Sequence, residues 1–208
     1  MLLRGRLLVF VTVIASLGLL VELWAWRVPD DELASVVWPL LSLSAEANVP
    51  TWVASMLLAC CALSAGAIAA RHEVGARGRW HWWGIAGALG WVSLDEVAGF
   101  HEHLGGHLAL GGVLYFDWVI WAALIVGVLA VIYLPFLRAL RSPTRERLVI
   151  AAVVFVAGAL VMELPLGWWT ERAGSDTLGY AVIDWVEETL ELVGTCLALV
   201  GLEGERRA

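Results

Sequence analysis

The sequence predicts an all-α membrane protein, a single bundle of about six transmembrane helices with both termini in the cytoplasm. Three observations carry this reading. Apolar residues make up 61% of the 208, charged residues only 16%, and the mean hydropathy is +0.81, whereas soluble domains run nearer half apolar and a quarter charged. Six apolar stretches, at about 7–26, 51–70, 81–104, 114–137, 147–169 and 179–202, each approach the ~20 residues that cross ~30 Å of hydrocarbon. The arginines then fall at alternate ends of these stretches.

The first stretch follows Arg4 and Arg6 and has the outline of a signal peptide. No convincing A-x-A site comes after it, so it is expected to remain a span. Arg71, Arg77 and Arg79 separate the second and third spans, Arg138, Arg141, Arg145 and Arg147 the fourth and fifth, and Arg206 and Arg207 follow the sixth. The other connections are acidic, with Asp30, Asp31, Glu32 and Glu46 in the first and Glu171 and Asp176 in the last. Basic residues stay on the cytoplasmic side, which places both ends there. Trp24, Trp26, Trp80, Trp82, Trp83, Trp118, Trp168 and Trp169 are expected in the interfacial belts. Small residues in Ser64-Ala65-Gly66-Ala67 and between Gly84 and Gly90 let helices approach closely in lipid. No long repeat or second domain interrupts residues 1–208.

Several functions are excluded at this level. A net charge of −7 argues against nucleic acid. All thirteen basic residues are arginine, so no lysine is present to form a retinal-type Schiff base, and the bias suggests GC-rich bacterial coding. Cys60, Cys61 and Cys196 lie in apolar spans without a CxxC or Cys/His pattern and read as buried packing residues.

Ionisable residues inside spans are costly and mark function. At 1.5 Å of rise per residue, Glu163 lies about 8 Å below Trp168, and Glu187 and Glu188 about 11 Å below Tyr180. Asp95 and Glu96 lie roughly 20 Å up from Trp82, and Glu22 sits slightly shallower, below Trp24. Four helices thus hold carboxylates in one outer-leaflet layer, while the inner halves are nearly free of them. On a continuous third helix, Asp95, Gly99 and Glu102 share one face and Glu96, His103 and His107 another, with fraying expected at Gly105-Gly106. On the sixth, Asp184/Glu188 and Glu187/Glu191 are i,i+4 pairs.

So many carboxylates in a low dielectric require protons or a bound cation. Carboxylate with imidazole is the ligand set of zinc, iron and manganese, so the expected metal residues are Asp95, Glu96, His101, His103, Glu163, Glu187 and Glu188. Glu102 or Glu191 is left as general base. The Glu-x-x-His spacing of ferritin-like di-iron proteins is absent, since Ala98 and Gly99 stand three after Asp95 and Glu96. A bis-histidine haem lacks facing histidines, and Ser93 lacks a G-x-S-x-G setting.

The string Ser93-Leu94-Asp95-Glu96, then His101-Glu102, then Glu187-Glu188 and Glu191-Leu192-Val193-Gly194 resembles an SLDE…HE…EExxELxG pattern of uncharacterised bacterial multi-pass membrane proteins. The resemblance brings no activity. It implies Asp95, Glu96, His101, Glu102, Glu187, Glu188 and Glu191 as defining residues, preferring His101 where the helical wheel prefers His103. A looser likeness to the alkaline ceramidase-like superfamily implies Ser, Asp and His around zinc.

The expected function is a metalloenzyme of the bacterial cytoplasmic membrane. One or two divalent metal ions in the outer-leaflet layer would serve hydrolysis or oxidation of a lipid-like substrate. Proton- or cation-coupled transport by the same carboxylates is the rival, and it expects a polar trail through the inner leaflet. A structural subunit of a larger complex is a third reading. Membrane lipids are the expected surroundings, and a homo-oligomer is compatible with the bundle.

Overall fold

A computed structural model describes residues 2–73, 76–103, 105 and 108–207, the side chains of residues 2–4, 77 and 102 excepted. Its elements are α1 (Leu2–Arg27), α2 (Glu32–Leu41), α3 (Val49–Arg71), α4 (Arg77–Ala98) and the one-turn α5 (Phe100–His103). A 3-10 turn (Gly112–Leu114), α6 (Trp118–Ala139), α7 (Ser142–Val156), a π-helical segment (Ala157–Met162), α8 (Glu163–Ala173) and α9 (Leu178–Arg206) follow. No strand occurs among the described residues.

Local chemistry sets the helix starts. Asp31 caps α2, its Oδ1 accepting from the Leu33 N–H at 2.8 Å. Asn48 caps α3 by accepting from the Thr51 N–H at 3.1 Å, with Pro50 in the first turn. Thr177 caps α9 through the Tyr180 N–H at 3.2 Å. Each cap satisfies a donor that the first helical turn leaves open.

Among the described residues, four stretches are long and apolar enough to cross a membrane: Gly5–Arg27, Val49–Arg71, Trp118–Ala139 and Ser142–Ala173. The chain is therefore a multi-pass helical membrane protein. The two remaining long helices, α4 and α9, carry Asp95, Glu96, Asp184, Glu187, Glu188 and Glu191 in their apolar runs. They are also tightly packed: α4 lies along α3, and α9 lies against α1, α3, α7 and the π segment. The helix least suited to lipid is thus the centre of the bundle. Its lower half supplies Leu192, Cys196, Leu199 and Leu202 to a core shared with Cys61, Ala65 and Ala69 of α3 and Val11 of α1.

Four features correct the sequence reading or add to it. The third span does not run to residue 104, because Gly99 turns the chain after Ala98. The fifth contains a π-helical segment, where an extra residue per turn shifts the face presented. Trp82 is packed inside the bundle, 1% exposed and meeting the Phe136 ring edge-on at 5.3 Å, while Trp80 beside it is 72% exposed. Cys61 and Cys196 are buried as expected, but Cys60 is exposed on the helix surface.

Candidate functional site

Gly99 determines the geometry of the SLDE…HE string. Its φ of 59° is left-handed, its N–H bonds the Asp95 carbonyl at 2.7 Å, and the chain re-enters a short helix at Phe100. This C-terminal glycine reverses direction where a side chain would be strained. The reversal returns His101 to Asp95: His101 Nδ1 donates to Asp95 Oδ2 at 2.8 Å, and its backbone N–H donates to Asp95 Oδ1 at 3.1 Å. The His101 ring lies 4.9 Å from that of Trp118, whose Nε1–H donates to Glu163 Oε1 at 3.2 Å. One chain of contacts therefore links α4 through α6 to the first residue of α8.

Glu163, 8% exposed, faces the carboxylates of α9. The approach depends on Gly158 of the π segment, where a Cβ would lie 2.8 Å from both the Glu187 carbonyl oxygen and Glu191 Cγ. One turn below, a Cβ on Gly194 would lie 2.6 Å from the Phe155 nitrogen. Glu187, 7% exposed, lies within electrostatic reach of Glu163, Asp184 and Glu191, and its Oε2 has no hydrogen-bond partner. Glu191 is the hub. It sees Glu96 from α4, Glu163 from α8, Asp184 one face up, and Glu46 from the α2–α3 connection. Glu188 likewise faces Glu96 and Glu191. Among the described residues, arginines pair only with Glu203 and Glu205, at the opposite end of α9.

Of the expected metal residues, Glu96, Glu163, Glu187 and Glu188 are brought together around Glu191. Asp95 and His101 form a pair beside them, joined through Trp118. His103 points away, its Nδ1–H donating to the Gly99 carbonyl at 2.7 Å on an exposed surface. The Glu102 side chain and His107 lie outside the described residues. Among the described residues, no three His, Cys, Asp or Glu side chains stand close enough to hold a metal ion.

Sequence reasoning gave too small a part to three acids. Asp184 and Glu46 belong to the carboxylate group. Glu22, 5% exposed, accepts from Trp38 Nε1 at 2.9 Å and from the Ser42 hydroxyl. Glu46 and the partners of Glu22 lie on or beyond α2, which no span pattern anticipates. Two charges at the end of α8 make local contacts. Glu171 accepts from the Gly112 N–H at 2.9 Å, and the Arg172 guanidinium lies 4.1 Å from the Trp168 ring centroid.

The fold and site together define a multi-pass helical membrane protein with a carboxylate-lined interior. The chain belongs to DUF8692, a domain of unknown function whose family model matches residues 6–202. That agrees with the resemblance drawn from the SLDE…HE…EExxELxG string to an uncharacterised family. No curated protein and no solved structure matches, and the likeness to the alkaline ceramidase-like superfamily is not upheld.

Proposed function

We propose that this protein is a proton- or cation-coupled transporter of the bacterial cytoplasmic membrane, with six spans and both termini cytoplasmic. The observation that carries the reading is that Glu46, Glu96, Glu163 and Asp184, from four different segments, all lie within electrostatic reach of Glu191. Like charges at such separations in a low dielectric are neutralised by protons or mobile cations, and a group that holds either can exchange one for the other.

A polar seam supports transport rather than a one-sided site. On the α3–α9 interface, Cys61 Sγ–H donates to the Thr195 carbonyl at 3.5 Å and the Ser64 hydroxyl donates to Glu203 Oε1 at 3.0 Å. Ser64 and Thr195 are both buried. Arg206 beside Glu203 holds that carboxyl below the usual carboxylate range, so the seam ends on an ionised group at the arginine-rich end.

The test is reconstitution in liposomes carrying an imposed pH gradient, with inorganic cations and tetraethylammonium supplied in turn. At least one cation should collapse the gradient, and Glu191→Gln should abolish the effect. Equal leak from wild type, Glu191→Gln and empty liposomes would overturn the reading.

A second reading keeps the divalent metal, serving a hydrolase or oxidase of a lipid-like substrate. Asp95 occupies Nδ1 of His101, as carboxylates do behind metal-binding histidines. Elemental analysis decides it: stoichiometric zinc, iron or manganese in purified protein, lost in Glu96→Ala, would favour it.

A further inference from the structure

A cavity of about 380 Å³ opens between α1, α2 and the start of α9, at the small end of ligand cavities, which run roughly 300–1,000 Å³. Its walls include the aromatic side chains of Trp26, Trp38 and Tyr180, the carboxylates of Glu22 and Asp176, and the hydroxyl of Ser44. No arginine or histidine lines it among the described residues. Glu22 is 95% buried by the complement of its 5% exposure, and both its oxygens are held by neutral donors, Trp38 Nε1–H and the Ser42 hydroxyl. Its orientation is fixed while no described cation balances it.

We infer that this cavity binds an organic ammonium cation, the charge against Glu22 and the alkyl groups against the rings of Trp26, Trp38 and Tyr180. Aromatic faces attract a large, weakly hydrated cation within about 6 Å of the ring centroid. A small inorganic ion asks instead for several converging oxygens, and no such set is found among the described residues. The cavity also touches the carboxylate group. Ser44 on its wall lies beside Asp184, and Asp184 lies within electrostatic reach of both Glu22 and Glu46. A cation seated at Glu22 therefore acts on the same field that the α9 carboxylates feel. The inference deepens the transporter reading by naming its substrate class, and it rests on that reading only for the coupling to protons.

Calorimetric titration of the full chain in detergent tests the site with choline and with 3,3-dimethyl-1-butanol, in which carbon replaces the charged nitrogen. Choline should bind saturably and at least about tenfold more tightly than the neutral alcohol. Glu22→Gln should weaken choline about tenfold, and Trp26→Ala, at an exposed position outside the hydrogen-bond network, several-fold. Equal binding of the two compounds, or choline affinity unchanged in both variants, would overturn the site. Glu22-dependent choline binding with no gradient collapse in liposomes upholds the site and removes the transporter reading. Gradient collapse by inorganic cations with no choline binding does the reverse.

Discussion

His101 bonds Asp95 twice, through its ring Nδ1 at 2.8 Å and its backbone N–H at 3.1 Å, across the left-handed turn at Gly99. A single residue conformation therefore holds the end of α4, the position of an imidazole and, through Trp118, the approach to Glu163. Gly99→Ala should destabilise the protein by about 1–2 kcal/mol, the penalty of left-handed backbone for a residue with a Cβ. Gly99→Asn, which tolerates that region, should lose less. Thermal unfolding in detergent measures both, and equal stability of wild type and Gly99→Ala would contradict the turn.

The packing of the π segment and α7 on α9 gives a second prediction. At Gly194 an added methyl would meet the Phe155 backbone at 2.6 Å, and backbone cannot swing aside as a side chain can. Gly194→Ala should therefore cost about 1–3 kcal/mol by overpacking. Gly87→Ala, on α4 with nothing within 4 Å, should stay within about 0.5 kcal/mol of wild type. Comparison of the two melting temperatures isolates the close approach from any general effect of removing glycine.

Glu22 gives a third. Its carboxylate satisfies Trp38 Nε1–H and the Ser42 hydroxyl, the latter fully buried. Glu22→Ala leaves these donors without an acceptor and should cost about 1–3 kcal/mol. Glu22→Gln keeps an acceptor oxygen and should cost less. Denaturation monitored by tryptophan fluorescence reads the difference, and an Ala variant as stable as Gln would show the bonds to be dispensable.

The orientation is checked by single-cysteine labelling near Arg141 and near Asp176 with a membrane-impermeant reagent. The proposed topology expects the site near Asp176 to react from outside and the one near Arg141 to be protected in intact cells. The opposite pattern would reverse the termini.

How far the sequence disclosed this structure follows from what periodicity and rise encode. The spans around 7–26 and 51–70 correspond closely to α1 and α3, because an uninterrupted apolar run fixes length directly. The pairing of Glu163 with the α9 carboxylates was legible as well. Depth depends only on rise per residue, and Glu163 does face Glu187. The wheel failed after Ala98, since it assumes a continuous helix and a left-handed Gly99 ends one. The linear SLDE…HE string named His101, which the structure pairs with Asp95, where helical spacing favoured His103. Glu46 escaped because a connecting segment has no period to place it, and the burial of Trp82 because a tryptophan beside arginines gives no sign of which helix it packs against.

The position of α9 bears on how the chain enters its membrane. A carboxylate at the centre of a lone helix opposes insertion by about 2.5–3.5 kcal/mol on translocon scales. α9 carries Asp184, Glu187, Glu188 and Glu191 within two turns. α1, α3, α6 and the α7–α8 run can each partition unaided. α4 can enter beside α3, along which it packs. In the proposed six-span topology α9 has no such freedom: it would reach bilayer depth by threading among neighbours already in place, which makes it the step at which assembly succeeds or stalls. Ribosome-bound chains arrested before residue 178 should accordingly present an inserted but hollow scaffold to the membrane quality-control machinery.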